Sequence, residues 1–285
     1  MGKANKVKGE FLDAVEMVYL IQTLKDIADN KFYTLTALKN KFRRFGEIFV
    51  EFFRLISLTK AEHPLIGNKV PTVGIVLVTV EGSFLGEFNN KVFRLALEEK
   101  NKYEKYRFIS IGTKLVERLR QYTPDIKVFD NMEAVGIYES AVAVKDYLVD
   151  EIMSGRLGKV IVIYSWPKTF DIQKPRVVKL LPCDELISKQ AQFVDVVEKV
   201  IEESEPKEVI GFLANLWVTT RLYEIFVDTI ISSASAQAQF LDDSVDKMKK
   251  DRERIKVKYR KAKKGDIDKS LRETFTARML ATAKK

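Results

Sequence analysis

Cysteine and histidine are almost missing from this chain: one of each stands among 285 residues. With Cys183 alone no internal disulfide forms, as expected of a protein kept in a reducing compartment. With His63 alone, beside Pro64, a catalytic triad or a histidine-rich zinc site lacks its members, and His63 reads as an ordinary surface residue. No apolar run reaches the roughly 18 residues a membrane span needs. Met1–Glu10 is polar and basic, without the apolar stretch of a signal peptide. Glycine-rich phosphate loops are missing as well. Gly155–Lys159 (GRLGK) lacks the glycine spacing and the Ser/Thr of a Walker A loop. Gly82 and Gly86 are too sparse for a dinucleotide loop after the first strand. Asp184 and Glu185 make no evident acid pair, Trp166 and Trp217 read as packing residues, and Cys183 reads as core. No catalytic, cofactor-binding or metal-binding residue is assigned.

Proline is also absent from Glu10 to Leu58, where Gly46 is the one glycine. A helix of that length would extend on the order of 70 Å at ~1.5 Å per residue. Ala14, Met17, Ile21, Leu24, Ala28, Leu35, Leu38, Phe42, Phe45, Phe49, Phe52 and Ile56 follow alternating steps of three and four, with Lys31 the polar occupant. A second such stripe near the other end runs through Val227, Ile231, Ala234, Ala238, Leu241, Val245, Met248, Ile255, Tyr259 and Ala262, interrupted by Arg252. Ile267, Leu271, Phe275 and Met279 carry the apolar pattern on, and Gly265–Asp266 is a point where the helix would kink or stop. Heptad seams of this kind wrap one helix around another.

Between them the period changes. Thr72–Val80 (TVGIVLVTV), Arg107–Ile111, Ile126–Phe129, Lys159–Tyr164 and Arg176–Leu181 read as strands. Helices are predicted over Asn90–Tyr103, Thr113–Gln121, Met132–Ser154 and Ile187–Glu203, with Glu81–Asn89 a loop. Strands alternating with helices predict a parallel layered sheet, and the helix-free link between the last two strands predicts an antiparallel edge. The expected architecture is an antiparallel coiled coil of N- and C-terminal long helices flanking a Rossmann-like α/β domain. Residues 1–62 form the first long helix, 70–204 the α/β domain and 207–285 the second long helix. The seam is expected at Ile21, Ala28 and Leu35 of the first helix and Val227, Ala234, Leu241 and Val245 of the second.

The net charge of +9 is local. Lys247–Lys264 holds 11 bases and 2 acids, while the rest of the chain holds 38 of each. This segment reads as a solvated helical face, a polyanion-binding face, or a rod that enters an acidic protein sleeve guided by complementary charge.

Local strings then resemble one family, the gamma subunit or central stalk of F-type rotary ATPases. Leu24–Lys31 (LKDIADNK) resembles its first-helix segment, with Leu24 at a methionine position and Lys31 at the family lysine. Thr79–Asn89 resembles its loop through Gly82, Gly86 and Asn89, and Ile111–Leu119 its next strand-to-helix turn. Ile163–Pro182 is similar to a strand ending in Leu-Leu-Pro, here Leu180, Leu181 and Pro182. Ser233 stands at a family Ser-Glu, with Ala234 replacing the glutamate; Lys263 and Lys264 replace an Arg-Gln pair ahead of Ile267, and Asp268 replaces a threonine.

The resemblance implies a divergent, non-catalytic rotor shaft that couples ATP hydrolysis or synthesis to rotation, in a motor paralogous to the housekeeping synthase. Its partners would be alpha- and beta-like ATPase subunits in a hexamer, with an epsilon-like subunit and a membrane rotor or other driven machinery below. ATP or ADP and Mg would sit in the partners, and this chain would carry no cofactor. The location implied is cytoplasmic and peripheral to the membrane, with no nucleic acid bound. The shaft–hexamer interface implied comprises Leu24, Lys31, Lys256, Lys258, Lys263 and Lys264. Two other readings are a coiled-coil scaffold or nucleic-acid-associated adaptor with a basic rod, and an enzyme built on the α/β segment.

Overall fold

The computed structural model describes residues 3–56, 63–129, 136–183 and 205–282. The elements in order are α1 (Lys3–Ile56), β1 (Val73–Val78), α2 (Phe88–Lys100), β2 (Tyr106–Ile111), α3 (Val116–Leu119) and β3 (Ile126–Phe129). They continue as α4 (Ile137–Met153), β4 (Lys159–Pro167), β5 (Gln173–Leu181) and α5 (Pro206–Thr282). The predicted helix at Ile187–Glu203 lies outside the described residues, as do the side chains of Leu38, Phe42, Phe45, Phe49, Phe52 and Ile56. The chain divides into two compact units, residues 1–28 with 238–285, and residues 29–237.

In the second unit the sheet order is β3-β2-β1-β4-β5. The first four strands are parallel and β5 is antiparallel to β4, as the sequence pattern predicts. β1 is buried at every position because helices cover both faces of a parallel sheet. Val73, Ile75, Leu77, Phe108, Ile161 and Ile163 meet Val92, Phe93 and Ala96 of α2 on one face. Val76, Val78, Ile109, Ile111, Val162 and Tyr164 turn to the other, against Val144 and Leu148 of α4 and Leu222, Phe226 and Ile230 of α5. Residues 225–235 of α5 are buried on all sides. Close approach needs small residues there, and Ser232, Ser233, Ala234 and Ser235 supply them.

Two single residues differ from their sequence expectation. His63 is half-buried rather than a plain surface residue: its Nδ1 accepts from the Leu65 N–H at 3.2 Å and its ring packs on Gly211 of α5. Burial first, then the Lys207 charge, hold its pKa below the usual value. Gly265–Asp266 neither stops nor breaks α5, which runs on to Thr282. Cys183 is buried, and Trp166 and Trp217 pack against the core, as expected.

In the first unit α1 and α5 pair antiparallel. The Ala4 N–H donates to Asp266 Oδ2 at 3.1 Å, Phe11 stacks on Tyr259 at 6.3 Å, and Lys25 pairs with Asp242 at 3.3 Å. The α5 seam falls where the heptad predicts: Ala238, Leu241 and Val245 are buried, and Met248, Arg252, Ile255, Tyr259 and Ala262 half-buried.

The α1 seam requires a correction. Ala14, Ile21, Ala28 and Leu35 face inward as expected, but the intervening seam positions are Val18, Lys25, Phe32 and Lys39. Met17 is 44% exposed, Leu24 is only half-buried and Lys31 is exposed. Every second seam position therefore lies one residue later than the apolar count suggests. One residue is a turn of ~100° about the helix axis, enough to move a side chain from the seam to its flank.

Candidate functional site

A doubly wound sheet usually opens its ligand crevice where the strand order reverses, here beyond the C-terminal ends of β1 and β4. In this chain that end is filled. Tyr164 and Ser165 are buried, and the Ser165 hydroxyl lies 2.9 Å from the Ser232 hydroxyl of α5. Burial, and secondarily the Asp228 charge, hold the Tyr164 phenol above its ordinary pKa. The loop after β1 is closed on itself: Asn89 Nδ2 donates to the Val80 carbonyl at 2.9 Å, and its Oδ1 accepts the Val80 N–H at 3.2 Å. Glu81 Oε1 accepts from both the backbone N–H and the hydroxyl of Thr113 at 2.7 Å. Partial burial pushes that carboxyl up, but the two Thr113 bonds and Lys114 outweigh it and leave its pKa low. A carboxylate thus already occupies the N–H and the hydroxyl of Thr113. Among the described residues no cluster of metal-ligating side chains occurs.

The chemistry-bearing surface lies instead on the long helices. Lys258, Lys263 and Lys264 are exposed on α5, and Lys256 is half-exposed with Glu253 3.5 Å away. Arg252 and Arg254 pair with Glu253 and Asp251 at 3.0 and 3.1 Å, using the segment's two acids. The remaining bases project a positive face. Beyond Asp266, which lies opposite Ala4, Ile267, Leu271, Phe275 and Met279 are 50%, 64%, 66% and 61% exposed. The predicted apolar stripe therefore exists but is uncovered.

On α1, displacement of the seam creates a second apolar stripe. Met17 (44% exposed), Leu20 (53%), the half-buried Leu24 and Ile27 (59%) recur at heptad spacing and end at the exposed Lys31. Of the two residues expected at an interface, Leu24 is half-buried in the first unit and Lys31 is exposed in the second. Met17, Leu20 and Ile27 were not expected there, because the apolar count places Met17 and Leu24 inside the seam.

The other residues missed by sequence reasoning are two lysine–aspartate pairs. In the first unit Lys25 reaches the exposed Asp242; in the second, Lys39 Nζ lies against Asp228 Oδ1, whose side chain is 8% exposed. Burial pushes the Asp228 carboxyl up, and Lys39 draws it back only in part. A signal for them exists in the sequence: the lysines and the aspartates are each two heptads apart.

A family model described as ATP synthase matches residues 15–277 of the chain's 285. The chain belongs to the ATP synthase family. Within that family its relatives are gamma chains. It is 28% identical to the ATP synthase gamma chain of Nitratiruptor sp. over 219 residues, 73% of this chain and 71% of that one. It is 26% identical to that of Campylobacter lari over 215 residues, 73% and 72% of the two chains. The fold matches the central stalk of the Tetrahymena thermophila mitochondrial ATP synthase with a TM-score of 0.60 at 16% identity, covering 79% of this chain and 99% of that one. The rotor of the Euglena gracilis mitochondrial enzyme matches with 0.59 at 14% identity, covering 93% and 98%.

Proposed function

We propose that this chain is the central rotor shaft of an F-type rotary ATPase, a non-catalytic subunit that turns inside a hexamer of alpha- and beta-like ATPase subunits. The observation that carries the reading is the pairing of a gamma-family sequence with a two-helix seam whose outer surface is left chemically active. ATP or ADP and Mg would be held by the partners. Their shape changes would act on an asymmetric surface, positive along α5 and apolar along α1. Lys256, Lys258, Lys263 and Lys264 would meet acidic groups of the sleeve, and Leu24 and Lys31 would sit on the apolar stripe that the sleeve presses. The uncovered Ile267–Met279 stripe supports a further apolar seat for the end of α5. An epsilon-like subunit and a membrane rotor or other driven machinery would lie below, consistent with the c-ring in the complexes of the structural neighbours. The location would be cytoplasmic and peripheral to the membrane.

Several departures mark a divergent motor. Lysines at 263 and 264 replace a planar arginine contact with point charges. Ala234 lies buried in the core, so no acid is available at that position. Gentle purification of the tagged protein should recover two Walker-motif ATPase subunits at about three copies each. The alternative reading, a basic rod on a polyanion, draws on the same positive face. Nucleic-acid binding with a steep salt dependence and no ATPase partner would favour it instead.

A further inference from the structure

The loop joining β4 to β5, Lys168–Ile172, touches both long helices within the second unit. The Phe170 ring lies edge-on to Phe32 of α1, centroids 4.9 Å apart at 87°, and stacks on the neighbouring Tyr33 at 6.2 Å and 4°. The Phe170 carbonyl accepts from the Ser235 hydroxyl of α5. Gln173 Nε2 closes the triangle, donating to that carbonyl at 2.8 Å and to Ser235 Oγ at 2.7 Å. On the adjoining strand Ser165 and Ser232 meet at 2.9 Å.

Two facts make this more than ordinary packing. Ser232 and Ser235 are three residues apart on one face of α5 and are both fully buried, so two polar contacts fix the helix about its own axis. The loop that makes the Ser235 contact is itself braced. The Lys168 and Thr169 N–H groups donate to the Ile172 carbonyl at 3.0 and 3.2 Å, and the Ile172 N–H donates to Thr169 Oγ1 at 3.1 Å. Apolar seams resist separation but allow helices to roll; directional hydrogen bonds and edge-on rings do not.

We propose that the β4–β5 loop is a torsional clamp, gripping α1 through Phe170 and α5 through Ser235 and passing twist between these helices and the sheet. This rests on the shaft reading, since only a turning shaft needs torsional stiffness. Ser235, Gln173 and Phe170 are positioning residues.

The test has two arms. In the full chain, a Phe170→Ala/Ser235→Ala variant should raise amide exchange at least tenfold in the loop and around residues 232–238, with the β1 and β2 amides unchanged. Phe170→Leu, which keeps apolar bulk, guards against simple unfolding and should give a smaller rise in the same segments. Unchanged exchange overturns the clamp. In the assembled motor, with a bead on the α/β unit and the hexamer arrested, the variant should at least double the variance of the bead's angle. Unchanged variance with intact rotation overturns the clamp and spares the shaft. A wild-type chain that joins no hexamer overturns the shaft reading, and the exchange arm then still decides whether the loop holds the helices.

Discussion

Lys39 and Asp228 offer the sharpest test of the packing. Replacing Lys39 with methionine keeps the apolar stem in the seam and strands the Asp228 carboxylate, whose side chain is 8% exposed. Breaking a buried pair from one side costs about 3–5 kcal/mol when both partners are fully buried. Lys39 retains 35% exposure, so water already supports part of its charge and the expected loss is about 2–4 kcal/mol. The matched control is Lys25→Met, facing Asp242 with 62% exposure, which should cost about 0–1 kcal/mol. Urea unfolding of the full chain reads both, and with a slope of about 2–3 kcal/mol per molar the Lys39 variant should melt about 1 M earlier. The pH dependence follows from Asp228. Its folded pKa lies above the unfolded value, chiefly through burial, and losing Lys39 raises it further. The native state then binds the proton more tightly, so the penalty is absent below the unfolded pKa and grows as pH rises through the folded one. The deficit of Lys39→Met should therefore shrink on acidification, and Lys39→Met/Asp228→Leu should recover most of it at neutral pH. Equal losses for the Lys25 and Lys39 variants, or a deficit that grows in acid, would refute the reasoning.

Glutamate at Lys256, Lys258, Lys263 and Lys264 together should abolish co-purification with the hexamer while the melting of the α/β unit is unchanged; normal assembly and rotation would remove these lysines from the interface. Gly158→Ala should destabilise by about 2–4 kcal/mol, because the new Cβ would stand 1.8 Å from the Val70 carbonyl oxygen, a backbone atom that cannot swing aside. Thermal unfolding checks it, and a neutral result would mean the Val70 segment yields. Asn89→Ala removes both bonds to Val80 and should cost about 1–2 kcal/mol, with faster exchange across the loop after β1.

The α/β core was largely legible because its signals are local. Val73–Val78 is a β-branched run buried on both faces, and the same hydrophobicity that marks it as a strand demands helices above and below. The helix-free link from β4 to β5 foretold the antiparallel edge. The loop's reach to Phe32, Tyr33 and Ser235 was not foretold, since nothing in Lys168–Ile172 names a partner more than a hundred residues away in one direction or sixty in the other. The resemblance groups Leu24 and Lys31 at an interface; that Leu24 is only half-buried and Lys31 exposed follows from a seam the periodicity misplaces.

That seam divides what the sequence alone determines from what the tertiary structure decides. Composition and period settle that α1 is a long helix with inward positions at Ala14, Ile21, Ala28 and Leu35. Two heptad frames pass through those four residues. One adds Met17, Leu24, Lys31 and Leu38; the other adds Val18, Lys25, Phe32 and Lys39, and apolar counting prefers the first. The fold takes the second. Asp242 and Asp228 meet the two lysines, and Phe170 meets Phe32. A lysine reads as an exclusion from a seam only until an aspartate stands across from it, and no one-dimensional pattern contains that partner.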